Sequence, residues 1–78
     1  MRNPKFLNLY DPEENEVIEY DMDTIDRIII TPAREIMSSV AREAQGVDAL
    51  DQVVRIQFKG ESSKEFPLTK YEMEFIYH

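Results

Sequence analysis

Residues 26–46 read DRIIITPAREIMSSVAREAQG, and two features of this stretch decide the fold that the sequence predicts. The branched run at 28–30 is typical of a strand that is buried on both sides in the middle of a sheet. Pro32 prevents one continuous helix, because its ring would collide with the carbonyl of Ile28. Thr31 and Pro32 instead favour a helix start, with Thr31 as the N-cap and Pro32 at the first helical position.

The residues after Pro32 predict the main helix. Apolar side chains recur at helical spacing on one face, at Ile36, Met37, Val40, Ala41 and Ala44. Gly46 follows the last of them and is a suitable residue to end the helix. We therefore expect one main helix over 32–45.

Strand patterns lie on both sides of this helix. KFLNLY (5–10) and EVIEYDM (16–22) are rich in strand formers and predict a hairpin, with Pro12 opening the turn and Asn15 suited to a left-handed conformation. In the second strand, the side chains at 18, 20 and 22 share the inward face. Residues 53–59 alternate as a half-buried strand, and residues 65–68 predict a short edge strand in which proline is tolerated.

The tail TKYEMEFIYH allows two structures. Thr69 followed by Glu72 matches a capping box and favours a short helix. Tyr71, Met73, Phe75 and Tyr77 also alternate, which predicts a strand. The sequence as a whole predicts a single α+β domain over residues 1–78: a small, mostly antiparallel sheet of about five strands, the helix 32–45 packed on one face, and a short C-terminal helix or strand.

Composition argues against most catalytic and metal-binding chemistry. The 78 residues include no Cys, and the single His is His78, so disulfides, thiolate zinc sites and a cage of imidazoles are excluded within one chain. Two glycines are too few for a P-loop or a dinucleotide fingerprint. No serine has the flanking glycines of a nucleophile elbow. We predict no catalytic residues, no metal site and no cofactor.

An EF-hand alignment fails as well. Asp11, Glu13 and Asn15 would take ligand positions 1, 3 and 5 of such a loop. Glu16 then stands where the sharp turn needs glycine, and Met22 stands where a bidentate glutamate is required. The acidic residues therefore need another explanation.

The charge of the chain is concentrated in residues 11–26. The net charge is −7, yet this segment alone carries eight acidic residues and no Lys or Arg, so the remainder carries +1. The eight are Asp11, Glu13, Glu14, Glu16, Glu19, Asp21, Asp23 and Asp26. Direct binding to nucleic acid is disfavoured, because it needs a clustered basic face. The run is either ordinary solvated surface or a recognition surface for a basic protein partner.

We predict a small acidic, non-enzymatic binding protein of the phage type. It would inhibit or modulate a partner macromolecule, such as a nucleic-acid-handling or host-defence protein, through the acidic surface of these eight residues. They would act either as phosphate mimics in a groove that ordinarily holds nucleic acid, or as steering charges around an apolar centre. The alternative is a homo-oligomeric assembly subunit, for example a homodimer, with Tyr71, Phe75 and Tyr77 as its apolar interface. The absence of Cys fits the cytoplasm, and the absence of a long apolar stretch predicts no membrane span.

Overall fold

The structure, a computed structural model, describes residues 2–77 as two three-stranded antiparallel sheets and one short α-helix. The first sheet has the order β2–β1–β6, and the second has the order β3–β4–β5. The elements are β1 (Phe6–Asp11), β2 (Glu16–Asp21), β3 (Ile25–Pro32), α1 (Ser39–Gln45), β4 (Gln52–Phe58), β5 (Ser63–Pro67) and β6 (Glu72–Ile76). The expected α+β fold of about five strands under a main helix is wrong, because the chain is mostly sheet.

The two sheets pack face to face around the main core. Leu7 and Leu9 of β1 meet Val54 and Ile56 of β4, and all four are fully buried. Burial contributes about 1.5–3 kcal/mol for each such side chain. Partly buried side chains complete this core: Ile18, Tyr20, Met22, Ile28, Phe58, Leu68, Tyr71 and Met73. None of the helices described within residues 2–77 has the length and apolar character to cross a membrane.

The strand buried on both faces is β4 and not β3. Val53 and Val54 are adjacent, point to opposite faces and are both fully buried. β3 lies at the edge of its sheet, so Ile30 keeps 50% of its surface exposed. An edge strand also tolerates Pro32, which pairs with Gln52 at the end of β3. The expectation of a central strand at 28–30 is therefore wrong.

The expected helix over 32–45 is wrong at its start. A 3₁₀ turn at Ala33–Glu35 follows β3, and α1 begins only after Ser38, whose Oγ accepts a hydrogen bond from the Ala41 N–H at 3.1 Å. Ser38 therefore takes the capping role that the sequence pattern assigned to Thr31. Val40 is 76% exposed, so the predicted apolar stripe is not a continuous buried face.

The short helix covers a second, smaller core on the outer face of the second sheet. Its buried members are Ala33, Met37, Val47 and Val53. Gly46 ends α1 in the left-handed conformation, at φ 66°, which confirms its predicted role. The Val47 N–H donates to the carbonyl of Arg42 at 2.9 Å, and the buried Val47 side chain anchors the chain after this turn.

The N-terminal hairpin is confirmed. β1 and β2 pair in an antiparallel register, and Asn15 in the turn has φ 53°. Ile18, Tyr20 and Met22 all pack against the main core, as predicted. The strands expected at 53–59 and 65–68 correspond to β4 and β5, with small shifts of their ends. The tail forms the strand β6, so the helical alternative is wrong.

Replacement of Ser38 by Ala tests the corrected helix start. We expect Ser38→Ala to lower the free energy of unfolding by about 1 kcal/mol, because the Ala41 N–H loses its acceptor. Thr31→Val is the matched control and should change stability little, since Thr31 lies in β3 opposite Val53. Urea unfolding followed by circular dichroism measures both. The reverse order of effects would restore the helix start at Thr31.

Alkaline pH gives a test of the main core. Burial raises the pKa of the Tyr20 hydroxyl above its ordinary value of about 10, and the neighbouring Tyr71 hydroxyl adds to the shift. The unfolded chain therefore ionises Tyr20 first, and this contribution to stability is present below about pH 10 and declines as the pH rises further. Tyr20→Phe should lose less stability than the wild type between neutral pH and about pH 11. Equal losses in urea titrations would contradict this.

Candidate functional site

The hairpin and the crossover to the second sheet distribute the acidic run over several parts of the molecule. Of the eight residues predicted to bind a partner, Asp11 is buried, and the other seven are exposed. Glu13 and Glu14 lie at the hairpin turn, and Asp23 lies in the 3₁₀ turn Met22–Thr24. Asp26 lies in the second sheet, at a bulge in β3. The run as a whole is therefore not one patch.

Asp11 has a structural role. Its side chain is buried where β1 ends, and Oδ1 accepts hydrogen bonds from the Glu13 N–H at 3.0 Å and the Glu14 N–H at 3.3 Å. The Lys70 Nζ lies 3.9 Å from Oδ2. These partners compensate for taking a carboxylate out of water and hold the hairpin turn. Little of Asp11 remains available to another molecule.

Alternation along β1 creates a second face on the first sheet. Leu7 and Leu9 point into the core, so the intervening Asn8 points outward, between Phe6 and Tyr10. Residues directly opposite each other share a face, and Asn8 pairs with Glu19 on one side and Glu74 on the other. The same register brings four carboxylates outward, those of Glu19, Asp21, Glu72 and Glu74. We name this outward surface of β2–β1–β6 the acidic face.

In the three strands that form the acidic face, every charged residue is acidic. β1, β2 and β6 contain six acidic residues and no Lys or Arg: Asp11, Glu16, Glu19, Asp21, Glu72 and Glu74. The second sheet is nearly balanced, with Asp26 and Glu65 against Arg27, Arg55 and Lys64. The excess negative charge of the strands therefore lies in the first sheet alone.

Neutralising partners are few around the acidic face. Within residues 2–77, none of its four carboxylates has a Lys or Arg nitrogen within 4.0 Å. Arg2 lies over the Tyr77 ring, 5.9 Å from its centroid, and Lys70 lies beside Asp11. Asp21 alone also serves the fold, because its Oδ1 accepts the Asp23 N–H at 2.9 Å. Glu19, Glu72 and Glu74 are exposed.

Apolar side chains interleave with these carboxylates. Tyr10 and Ile76 are half-buried on the acidic face, and Val17 is 57% exposed. Strand positions of this kind offer a partner apolar contact between the charges, as the centre of a protein interface does. The outward positions of the three strands therefore combine exposed carboxylates with apolar side chains.

The three residues predicted as an oligomer interface have different environments. Tyr71 packs edge-on against Phe66, with ring centroids 5.2 Å apart, and belongs to the main core. Phe75 lies in β6 on the side away from the acidic face and is 37% exposed, and Tyr77 is 46% exposed. Only Phe75 and Tyr77 therefore present substantial aromatic surface.

Sequence reasoning missed Glu72, Glu74 and Asn8 as members of this surface. The alternation in YEMEFIYH contained the signal for the two glutamates, because a strand at 71–77 places both on the face opposite Met73 and Phe75. Asn8 had no comparable signal. Its position depends on the pairing of β1 with two strands at once.

Two surface hollows are present elsewhere in the described chain. One, of about 470 Å³, lies at the β4–β5 turn and is lined by polar side chains that include Asp26, Lys59 and Ser62. The other, of about 400 Å³, lies between the end of α1 and the β5–β6 connection. Among residues 2–77, no hydrogen bond joins a serine hydroxyl to a base, and no three His, Cys, Asp or Glu side chains are placed to hold a metal ion.

Comparison with known proteins identifies no relative of this chain. No protein-family model matches the chain, and no curated protein or solved structure matches it significantly. The geometry of the acidic face is therefore the basis of the functional conclusion.

The structural role of Asp11 can be separated from partner binding by substitution. Asp11→Ala should lower the free energy of unfolding by about 1–2 kcal/mol, because two backbone N–H groups lose their acceptor. Asp11→Asn keeps a carbonyl oxygen at the same position and should lose less than half of that. Thermal and urea unfolding measure both variants, with Glu13→Gln as the control for charge. Wild-type stability in Asp11→Ala would show that the carboxylate does not hold the turn.

Proposed function

We propose that the protein is a non-enzymatic binding domain that uses the acidic face to dock on a basic protein surface. The supporting observation is the register of β1, which places Glu19, Asp21, Glu72 and Glu74 together without an ion-pair partner in the described chain. Occupying a partner's surface would inhibit or modulate it. Basic surfaces that ordinarily hold nucleic acid are one such class, and to them the carboxylates would act as phosphate mimics.

Spacing makes these charges act on one another and on a partner. Residues two apart on a strand are separated by about 7 Å, and β2 and β6 are separated by about 10 Å across β1. The spacing of about 7 Å lies within the Debye length of about 8 Å at physiological salt, so part of the repulsion along each strand persists, whereas repulsion across β1 is largely screened. Lys and Arg of a partner would relieve it and would speed association by steering.

The alternative is that the protein is a homo-oligomeric assembly subunit. The exposure of Phe75 and Tyr77, at 37% and 46%, is the observation in its favour. It ranks second because two exposed aromatic side chains form only a small apolar patch, well below the area of a stable dimer interface. Under this alternative the carboxylates only keep the protein soluble.

Neutralising the acidic face tests the proposal. In the variant Glu19→Gln, Glu72→Gln, Glu74→Gln, a fluorescein-labelled peptide in which Arg and Lys alternate with Ala should bind about tenfold more weakly at low salt. Three surface ion pairs of about 0.5 kcal/mol each account for that factor. Fluorescence anisotropy should also show that wild-type affinity falls between about 10 mM and about 150 mM salt, while the variant changes much less.

A matched variant separates the face from net charge. Glu35→Gln, Glu43→Gln, Glu61→Gln removes the same charge from exposed positions outside the first sheet and should bind within about twofold of the wild type. Amide chemical shifts on peptide addition should change at 6–10, 17–21 and 72–76. Equal losses in both variants, or shift changes confined to the second sheet, would refute the proposal.

A further inference from the structure

The middle of the acidic face is a single row across the sheet. Glu19, Asn8 and Glu74 stand directly opposite one another in the register, with Asn8 at the centre. The two glutamates stand on the edge strands, about 5 Å from Asn8 on either side at the backbone. The row therefore presents a carboxylate, an amide and a second carboxylate in line.

Asn8 has an unmet hydrogen-bonding requirement. Its Oδ1 has less than 1 Å² of accessible surface and no hydrogen-bond donor in the structure. Buried carbonyl oxygens in native proteins nearly always have a donor. The neighbours across the sheet are carboxylates, which only accept, and the adjacent Tyr10 hydroxyl donates to Asn15 at 3.1 Å. A donor for Oδ1 must therefore come from outside the row.

The chain's own arginines are placed elsewhere. Arg27 and Arg55 lie in the second sheet, where Arg55 Nε is 3.1 Å from a Glu65 carboxylate oxygen. Arg34 and Arg42 lie beyond β3 and in α1, and Arg2 lies over Tyr77. Among the described residues, no hydrogen bond from an arginine reaches the row. The described chain leaves the Asn8 oxygen without a donor, so a donor from another molecule can fill this position.

We infer that the Glu19–Asn8–Glu74 row binds an arginine side chain of the basic partner in preference to lysine. This inference rests on the proposed function of the acidic face. A guanidinium has five N–H donors in a rigid plane and no acceptor, so it donates to several acceptors at once. The Glu19 and Glu74 side chains are exposed and can rearrange around it. Binding in this way requires that the rearrangement gives the guanidinium access to the Asn8 oxygen. An ammonium group is a compact point charge and cannot span the row in this way.

Tyr10 strengthens the choice of arginine. It occupies the next outward position of β1 after Asn8 and is half-buried, and its hydroxyl donates to Asn15 in the hairpin turn. Guanidinium groups stack on aromatic rings more readily than ammonium groups do. The row and the ring together favour a planar cation.

The test compares two labelled peptides of equal charge, in which either Arg or Lys alternates with Ala. Wild-type protein should bind the arginine peptide about tenfold more tightly in fluorescence anisotropy at low salt. Asn8→Val keeps all four carboxylates and suits a strand, and it should reduce this ratio to about twofold or less while leaving the lysine peptide unaffected. Asn8→Thr is the second variant should Asn8→Val alter the fold, and circular dichroism checks both.

The outcomes separate this inference from the proposed function. If the wild type binds both peptides equally, or if the Asn8 variants keep the full preference, the arginine assignment is wrong although docking of a basic partner stands. If the wild type binds neither peptide, both are wrong. The double variant Glu19→Gln, Glu74→Gln gives a further check. If it still prefers the arginine peptide, residues outside the row produce the selectivity, and the inference is wrong.

Discussion

The pairing of β1 with both β2 and β6 determines which side chains share each face of the first sheet. β1 is the central strand, and its odd positions Leu7 and Leu9 are fully buried. A slip of one residue would expose these leucines and bury Asn8, so burial fixes the register firmly. The arrangement of the outward side chains follows from this one constraint. Core packing and the composition of the acidic face therefore have the same origin.

The two sheets differ in burial and in charge. β4 is buried on both faces and links the main core to the smaller core beneath α1. The second sheet is thus covered on its outer side at one end, whereas the four carboxylates at the outward positions of the first sheet are exposed. Charge follows the same division, since the three strands of the first sheet lack Lys and Arg.

The sequence predicted the structures that depend on nearby residues well, and it predicted those that depend on tertiary contacts poorly. The hairpin, β4 and the Gly46 helix end depend on turn chemistry and alternation within a few residues, and these were confirmed. The start of the helix depends on competition: Pro32 suits either a helix start or an edge strand, and its pairing with Gln52 decides the outcome. The tail was ambiguous for the same reason, because its capping box and its alternation are both valid until β1 provides a partner.

The candidate site shows the same limit. Residues 11–26 do contain a high density of carboxylates, but they do not share one surface. The fold buries Asp11, and Asp26 lies in the other sheet. Only Glu19 and Asp21 of that run lie on the acidic face, and Glu72 and Glu74 come from the distant tail. Grouping by sequence neighbourhood could not find this set, since antiparallel pairing and not chain proximity creates it.

The acidic face forms only after β6 has paired with β1. The two columns of carboxylates on β2 and β6 lie more than fifty residues apart along the chain, and they come together only through a contact of high sequence separation. Such contacts make for a high contact order and slow folding. A partner that engages both columns recognises a conformational epitope, which a denatured or half-folded chain does not display. Any such recognition is therefore also a check that the molecule has folded.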